Sequence, residues 1–328
     1  MAIKISLLNS IVFIISVSCF SQETIVKDTV FNEKNSFIQS FPNNISTRLF
    51  FINTSNSLYV KDRNSNDFYI LDPNKQDRIG ATISFRSISI SYSIAPYFLA
   101  TNKDNEGAKL FNINLRTYFS NWMQTFDIYK EKGFYIKNDA INFYFPKIKS
   151  IKIGGSTSYI LNPNFSFKSV VSQDEKQLKS AGSLIPRILY YYSEYDIVSE
   201  NDIVSFESKI YSFDIALAPS YYYNFVPIKN LLLSTGISTG IGLNTTTSDN
   251  KSVTSLLTEL DFSSSITYDF SNFYFGSHFS YLILNHNTDS SSYVKDNIPF
   301  IEFFLGYRFK APKKLLQKVN KINDKLKF

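Results

Sequence analysis

The chain has 328 residues, a net charge of +6, 19% charged residues and 16% aromatic residues. That length suits one large domain or two ordinary ones. No basic stripe with interleaved aromatics suggests a nucleic-acid partner, and none is expected. Tyr and Phe number 22 and 31 against one Trp and two Met, a bias toward β-strands.

The first predicted element is a secretory signal peptide over residues 1–21. Lys4 supplies its positive end and Ile5 to Val17 its apolar stretch. Cys19-Phe20-Ser21 offers small residues for cleavage before Gln22. The lipoprotein alternative would acylate Cys19, but Ser16 stands where such sites usually carry Leu. Cys19 is the only cysteine, so its loss leaves no disulfide, thiolate nucleophile or cysteine metal site. Residues 22–45 are expected to form an N-terminal periplasmic segment. No later segment reaches the roughly 18 unbroken apolar residues of a helical span; Leu231 to Leu243 is broken by Ser, Thr and Gly.

From Ser46 to Phe309 the dominant period is two. Ile88, Ile90, Tyr92 and Ile94 alternate with serines. Longer rows run over Tyr211–Phe225, Leu231–Leu243, Leu256–Phe270 and Phe300–Phe309. Weaker ones lie at Arg48–Asn53, Ile79–Phe85, Phe111–Thr117, Trp122–Lys130, Ile151–Leu161, Phe165–Ser172, Ser183–Tyr191 and Phe273–Ile283. Arg86-Ser87, Phe119–Asn121, Asn162–Asn164, Pro227–Asn230 and Ser271-Asn272 read as tight turns. Thr54–Asp67, Tyr97–Ala108, Glu131–Lys149, Ser193–Lys209, Asn244–Ser255 and His286–Asn297 read as long polar loops.

Short turns at one end, long loops at the other and runs of about ten residues are the pattern of a membrane barrel. The alternative is a soluble sandwich or lipocalin-like barrel, whose outward face would carry more Lys, Glu and Thr than Gly and Ser. The expected fold is therefore all-β: a transmembrane antiparallel up-and-down β-barrel over residues 46–310. Thirteen candidates cannot close if both ends lie on one side, so the count is twelve, or fourteen, with the difficulty between Gln173 and Lys209. In the last strand Ile301, Phe303, Leu305, Tyr307 and Phe309 face lipid, while Glu302, Gly306 and Arg308 face the lumen. Phe300–Phe309 resembles the signal by which barrel-assembly machinery recognises its clients. Nineteen residues follow it. Residues 311–328 read as a basic amphipathic helix, with Leu315, Leu316, Val319, Ile322 and Leu326 on one face.

Three stretches resemble a Bacteroidota family known as domain of unknown function 4421. They are Phe37 to Phe51, Asp72 to Arg86 and, most specifically, Tyr159 to Ser183. In the last, Gln173, Glu175, Gln177, Lys179, Ser180, Gly182 and Ser183 stand at the positions of a Gln-x-Glu-x-Gln-x-Lys-Ser-Ala-Gly-Ser segment. The resemblance implies an outer-membrane β-barrel of unassigned role in a Gram-negative bacterium.

The candidate lumen residues are Gln173, Glu175, Gln177, Lys179, Ser180, Arg187, Asp214, Glu259, Asp261, His278, Glu302 and Arg308. Lumen charges must pair or stay wet. Glu175, Lys179 and Arg187 read either as a charged constriction or as a turn pairing with neighbours. Partners for them are sought among Asp127, Asp214, Glu259, Asp261 and Glu302. His278 is the one credible general base for a barrel-embedded hydrolase, while His286 falls in a loop. No metal spacing or phosphate loop is present, and no cofactor is expected. The expected role is a narrow pore for small polar solutes or a structural barrel in outer-membrane lipid, and not an enzyme. The alternative is an interaction or adhesion barrel acting through its loops or basic tail.

Overall fold

Ile88, Ile90, Tyr92 and Ile94 are exposed, while Ser89 and Ser93 between them are buried. This is the reverse of a water-soluble sheet, and it recurs round the molecule. Only a hydrocarbon solvent makes such an outer face favourable. The computed structural model describes residues 36–326 apart from 55–56, 63–67, 74–75, 97, 100–108, 139–141, 172–173, 202–203, 249–250 and 288–291. The predicted signal peptide lies outside the described residues.

The strands are β1 (Ile38–Ser40), β2 (Asn44–Thr54), β3 (Ser57–Asp62), β4 (Phe68–Pro73), β5 (Gln76–Phe85), β6 (Ile88–Ile94), β7 (Lys109–Phe119), β8 (Trp122–Lys137) and β9 (Asn142–Tyr159). After helix α1 (Lys168–Val171) come β10 (Glu175–Gln177), β11 (Ala181–Ile185), β12 (Arg187–Asn201), β13 (Val204–Leu217), β14 (Ser220–Ile228), β15 (Leu231–Ser248), β16 (Lys251–Phe270), β17 (Phe273–Asn287) and β18 (Ser292–Lys310). Helix α2 is Lys313–Leu326.

Sixteen of these strands form one antiparallel sheet. Four pairs lie end to end as single staves of the wall: β2 with β3, β4 with β5, β11 with β12, and β13 with β14. The wall therefore has twelve staves, and pairing of β18 with β2 closes the ring. Two of the interruptions are prolines facing each other, since the registers Ile185↔Ser220 and Ile188↔Leu217 place Pro186 opposite Pro219. Neither can donate to the ladder. Their carbonyls still accept, from Tyr159 N at 3.0 Å and Thr239 N at 3.2 Å.

One end of the ring, the turn end, carries two-residue turns in which Arg86, Ser120 and Ser271 take φ of 53°, 52° and 58°. Such left-handed turns match the twist of paired strands. An aromatic girdle marks this end: Trp122 meets Tyr159 at 4.9 Å and Phe273 meets Tyr307 at 4.7 Å between ring centroids.

At the other end the expected loops are largely strand. β16 has 20 residues and β15 has 18, against the roughly 9–11 needed to cross hydrocarbon. The excess is built from polar pairs such as Thr245–Thr254 at 3.0 Å and Thr247–Ser252 at 2.7 Å. Thr54–Asp67, Glu131–Lys149, Ser193–Lys209, Asn244–Ser255 and His286–Asn297 thus all contain barrel strand. There too, residues Ile70 to Pro73 of β4 pair directly with Phe134 to Lys137 of β8, past β6 and β7. The twelve-stave ring narrows at this level.

The surplus thirteenth candidate is also resolved. Phe165–Ser172 is not a barrel strand; it contains α1. Asn162 Oδ1 accepts from Asn164 N at 3.0 Å and Ser166 Oγ caps Ser169 N at 3.0 Å. These local side-chain bonds turn the chain out of the sheet. Asn162–Asn164 is therefore no hairpin turn but the entry to a folded segment.

The chain divides into two units, one of residues Lys34–Ala311 and one of Pro312–Phe328 with residues 1–33. In the second unit the described element is α2. Its first turn is closed by Leu315 N and Leu316 N donating to Pro312 O at 2.9 and 3.1 Å. Helical spacing puts Leu315, Leu316 and Val319 on one face and Lys314, Lys318 and Lys321 on the other.

In β18, Phe303 and Leu305 are 57% and 56% exposed, while Glu302 and Arg308 are buried. Gly306 lies inward against a neighbour: a Cβ there would sit 2.1 Å from Tyr274 Cζ. Tyr274 is fully buried and donates to Thr47 O at 2.9 Å, so it has no free direction. Gly306→Ala should therefore lower barrel stability by about 1–3 kcal/mol. Urea unfolding in detergent measures this, and Gly306→Ala in a Tyr274→Ala background should cost much less.

Candidate functional site

Between β9 and β11 the chain folds into the turn end of the barrel and fills it. Phe165, Phe167, Val170 and Val171 pack with the wall residues Tyr118, Met123, Ala181 and Ile185. Phe167 lies edge-on to Tyr222 at 5.1 Å. β1 pairs with β10 to complete this plug.

Gln177 is its polar centre and is 2% exposed. Its Oε1 accepts from Ser166 N at 2.8 Å and from Asn224 Nδ2 on β14 at 3.1 Å. Its Nε2 donates to Asn164 O at 2.7 Å and Lys179 O at 2.9 Å. Glu175 accepts from Ser166 Oγ at 2.6 Å and pairs with Lys168 at 3.3 Å. Ser180 Oγ accepts from Val226 N at 2.9 Å. Lys179 reaches Ser36 at 3.1 Å and lies over the Phe37 ring. Beneath the plug Arg308 pairs with Asp269 at 2.5 Å, its guanidinium 4.6 Å from the Phe41 ring and 4.4 Å from that of Tyr274. Lys176 donates to Asn230 at 3.0 Å, and burial pushes its ammonium below the usual value although Asp269 opposes this.

Above the plug is a cavity of about 430 Å³ lined by charged strand residues. Arg187 pairs with Glu259, which also accepts from Ser238 Oγ at 3.2 Å. Arg48 pairs with Glu302 at 3.1 Å and Arg78 with Glu131 at 3.4 Å. Asp127 accepts from Asn114 at 2.5 Å and from the Tyr191 hydroxyl at 2.9 Å. The carboxylates of these couples are buried, so breaking one leaves a desolvated charge. Beyond the cavity, toward the loop end, Leu71, Phe134 and Ile148 form an apolar cluster at the narrowed level.

The candidate residues thus fall into two places. Glu175, Gln177, Lys179 and Ser180 belong to the plug, with Arg308 below it. Arg187, Asp214, Glu259, Asp261, His278 and Glu302 line the cavity. Gln173 lies outside the described residues. Glu175, Lys179 and Arg187 do not form one constriction: Glu175 and Lys179 find partners inside the plug, Arg187 across the wall. His278 lies edge-on to Phe300 at 5.4 Å.

Sequence reading missed Arg48, Arg78, Glu131 and above all His286. His286 is not in a loop but in β17, buried, with Asp214 and Asp296 each at 3.7 Å. The signal was present in the alternation, because β17 continues the inward row of His278, Ser280, Leu282 and Leu284 by one more step. The described residues hold no cluster of His, Cys, Asp and Glu that suits a metal ion.

A closed ring with an apolar exterior, a charged interior and an inserted stopper defines a plugged transmembrane β-barrel. The family model described as Domain of unknown function (DUF4421) matches residues 26–309, and the chain belongs to that family. Among curated proteins none matches. Among solved structures the chain is similar to the outer membrane protease OmpT from Escherichia coli, at 9% identity and TM-score 0.39, over 84% of this chain and 100% of that one. It is similar to the beta domain of the Bordetella autotransporter BrkA at 8% and 0.36, over 82% and 99%. It is similar to the Pseudomonas putida toluene transporter TodX at 6% and 0.31, over 81% and 89%. Likeness at this level carries no functional weight.

The plug's dependence on Gln177 is testable. Gln177→Leu should leave Ser166 N–H buried without its acceptor, at about 1–3 kcal/mol, while the Asn224 amide keeps Ser166 O at 3.0 Å but loses its tie to Gln177. The readout is limited proteolysis in detergent: cleavage within residues 161–180 should appear while the barrel fragments stay intact.

Proposed function

We propose that the chain is an outer-membrane β-barrel that encloses a polar cavity and does not conduct. One observation carries this reading: the segment between β9 and β11 folds into the turn end, with Gln177 and Asn224 tying it to the wall. The apolar cluster of Leu71, Phe134 and Ile148 at the opposite end supports it. Outer-membrane placement follows from the rule that strands cross lipid only as closed barrels, together with the lipid-facing aromatic rows. Export by the signal peptide over 1–21 and insertion through Phe300–Phe309 belong to the same reading.

We read the protein as non-enzymatic. A base needs an orienting partner, and His278 has no carboxylate within 4.0 Å among the described residues. His286 has two, but it is buried and spans Asp214 on β13 and Asp296 on β18, which suits a structural tie.

Planar-bilayer recording tests the reading. The intact protein should give no current steps, and a variant with residues 161–179 replaced by a short turn should give them. Equal conductance from both would sink it. If that variant loses heat-modifiable gel migration, Asn224→Leu, which loosens the plug and spares the wall, takes its place.

A further inference from the structure

The charges that line the cavity do not all pair within the protein: Lys152 rests over the Tyr191 ring, and Arg116 and Asp261 have no such contact. Arg116 on β7 and Asp261 on β16 both line the cavity. Neither makes a hydrogen bond or ion pair among the described residues, and Arg116 Nε is buried without a partner. The groups that could serve them are taken. Asp127 and Glu302 lie within electrostatic reach of Arg116. Asp127 is held by Asn114 and Tyr191, and Glu302 by Arg48. Arg187 lies within reach of Asp261 but is committed to Glu259.

The topology sets the two across the lumen. In the ring of twelve staves, β7 and β16 are six staves apart in either direction. Tracing the register from Arg116 through β8, β9, β12, β13 and β15 arrives at Leu257 on β16. Tracing it the other way, through β6, β5 and β2, arrives at Arg308 on β18, beside the turn that ends β16. Asp261 lies near the middle of those limits, and Tyr222 is within electrostatic reach of both Asp261 and Arg116. The cavity is large enough for a small ligand. Tyr222 and Ser263, hydrogen-bonded at 3.1 Å, provide a polar wall on the Asp261 side.

We propose that the cavity binds a small zwitterion with a carboxylate at one end and an ammonium at the other, such as an amino acid or short peptide. Arg116 takes the carboxylate, for which a guanidinium has the matching fork of donors. Asp261 takes the ammonium. A ligand of one charge satisfies only one group and leaves the other desolvated and unpaired. The zwitterion completes both and leaves the net charge of the lumen unchanged. The inference deepens the enclosed-cavity reading by naming what the cavity holds.

The test is calorimetric titration of the whole protein, folded in detergent, with 4-aminobutyrate, 6-aminohexanoate and glycylglycine, against butylamine and butyrate. At least one zwitterion should bind about tenfold more tightly than either monofunctional control. Arg116→Gln and Asp261→Asn should each abolish that preference. The exchange of Arg116→Asp with Asp261→Arg should restore it, because a zwitterion can turn round; a merely structural role for either residue predicts no such rescue. No zwitterion preference in the wild-type protein, or single variants that bind as tightly as it does, overturns the inference. Heat-modifiable migration confirms folding of each variant, and Asp261→Asn alone decides if the Arg116 variants do not fold. Zwitterion binding by a protein that conducts sinks the non-conducting reading and keeps this one; a silent barrel that binds none does the reverse.

Discussion

A sheet inside hydrocarbon can have no free edge. Each unpaired N–H or C=O there costs several kcal/mol, and no water is present to relieve it. Pairing of β18 with β2 removes the last edge, and much else follows from that closure. It gives the sheet an outside solvated by lipid, where Ile, Leu and Phe are favourable, and an inside where they are not required. It favours turning the charged side chains of the spanning region inward. It also fixes an even number of staves when both ends of the barrel leave on the same side.

The interior this creates is a poor solvent for charge. Ser and Gly on β6 and β15 leave space rather than fill it. The Arg, Asp and Glu residues that do point inward must find partners on other staves. They do so over long sequence separations, Arg187 with Glu259, Arg48 with Glu302 and Arg78 with Glu131. Such pairs add little net stability, because desolvation offsets attraction, but the loss of one partner is costly. A stave displaced by two residues would strand one of these charges, so the pairs oppose a shifted register.

That division explains what the sequence makes legible. The inward and outward rows of β6, β15, β16 and β18 could be read directly, since the period of two is local and the solvent preference of each face is strong. The strand count was nearly readable, and it failed at one place. Phe165–Ser172 alternates like a strand, yet Ser166 and Ser169 bond to nearby backbone and make a helical turn instead. Loop lengths were overestimated because beyond the lipid both faces of the hairpins become polar, so β15 and β16 continue where the alternation of hydrophobicity stops. The partners of the lumen charges were hardest to see. Glu259 was one of five candidate partners for Arg187, and nothing local in the chain singles it out; the curvature of the sheet from β12 to β16 does.

The plug is the same constraint acting on a connection. Between β9 and β11 the chain leaves the wall and returns to it at one end of the ring, with about twenty residues to accommodate. Left outside, Phe165, Phe167, Val170 and Val171 would face water. Turned inward, they cover Tyr118, Met123 and Ile185, the least polar part of the lumen. Their burial alone would hold a loosely oriented cluster, because apolar contact is not directional. Gln177 and Asn224 supply the direction: one amide satisfies Ser166 and two backbone carbonyls of the plug, and the other reaches from the wall to meet it. A group so completely paired cannot shift without exposing several others to a dry interior. The polar residues therefore fix where the apolar ones lie, and in doing so they set the floor of the charged cavity above.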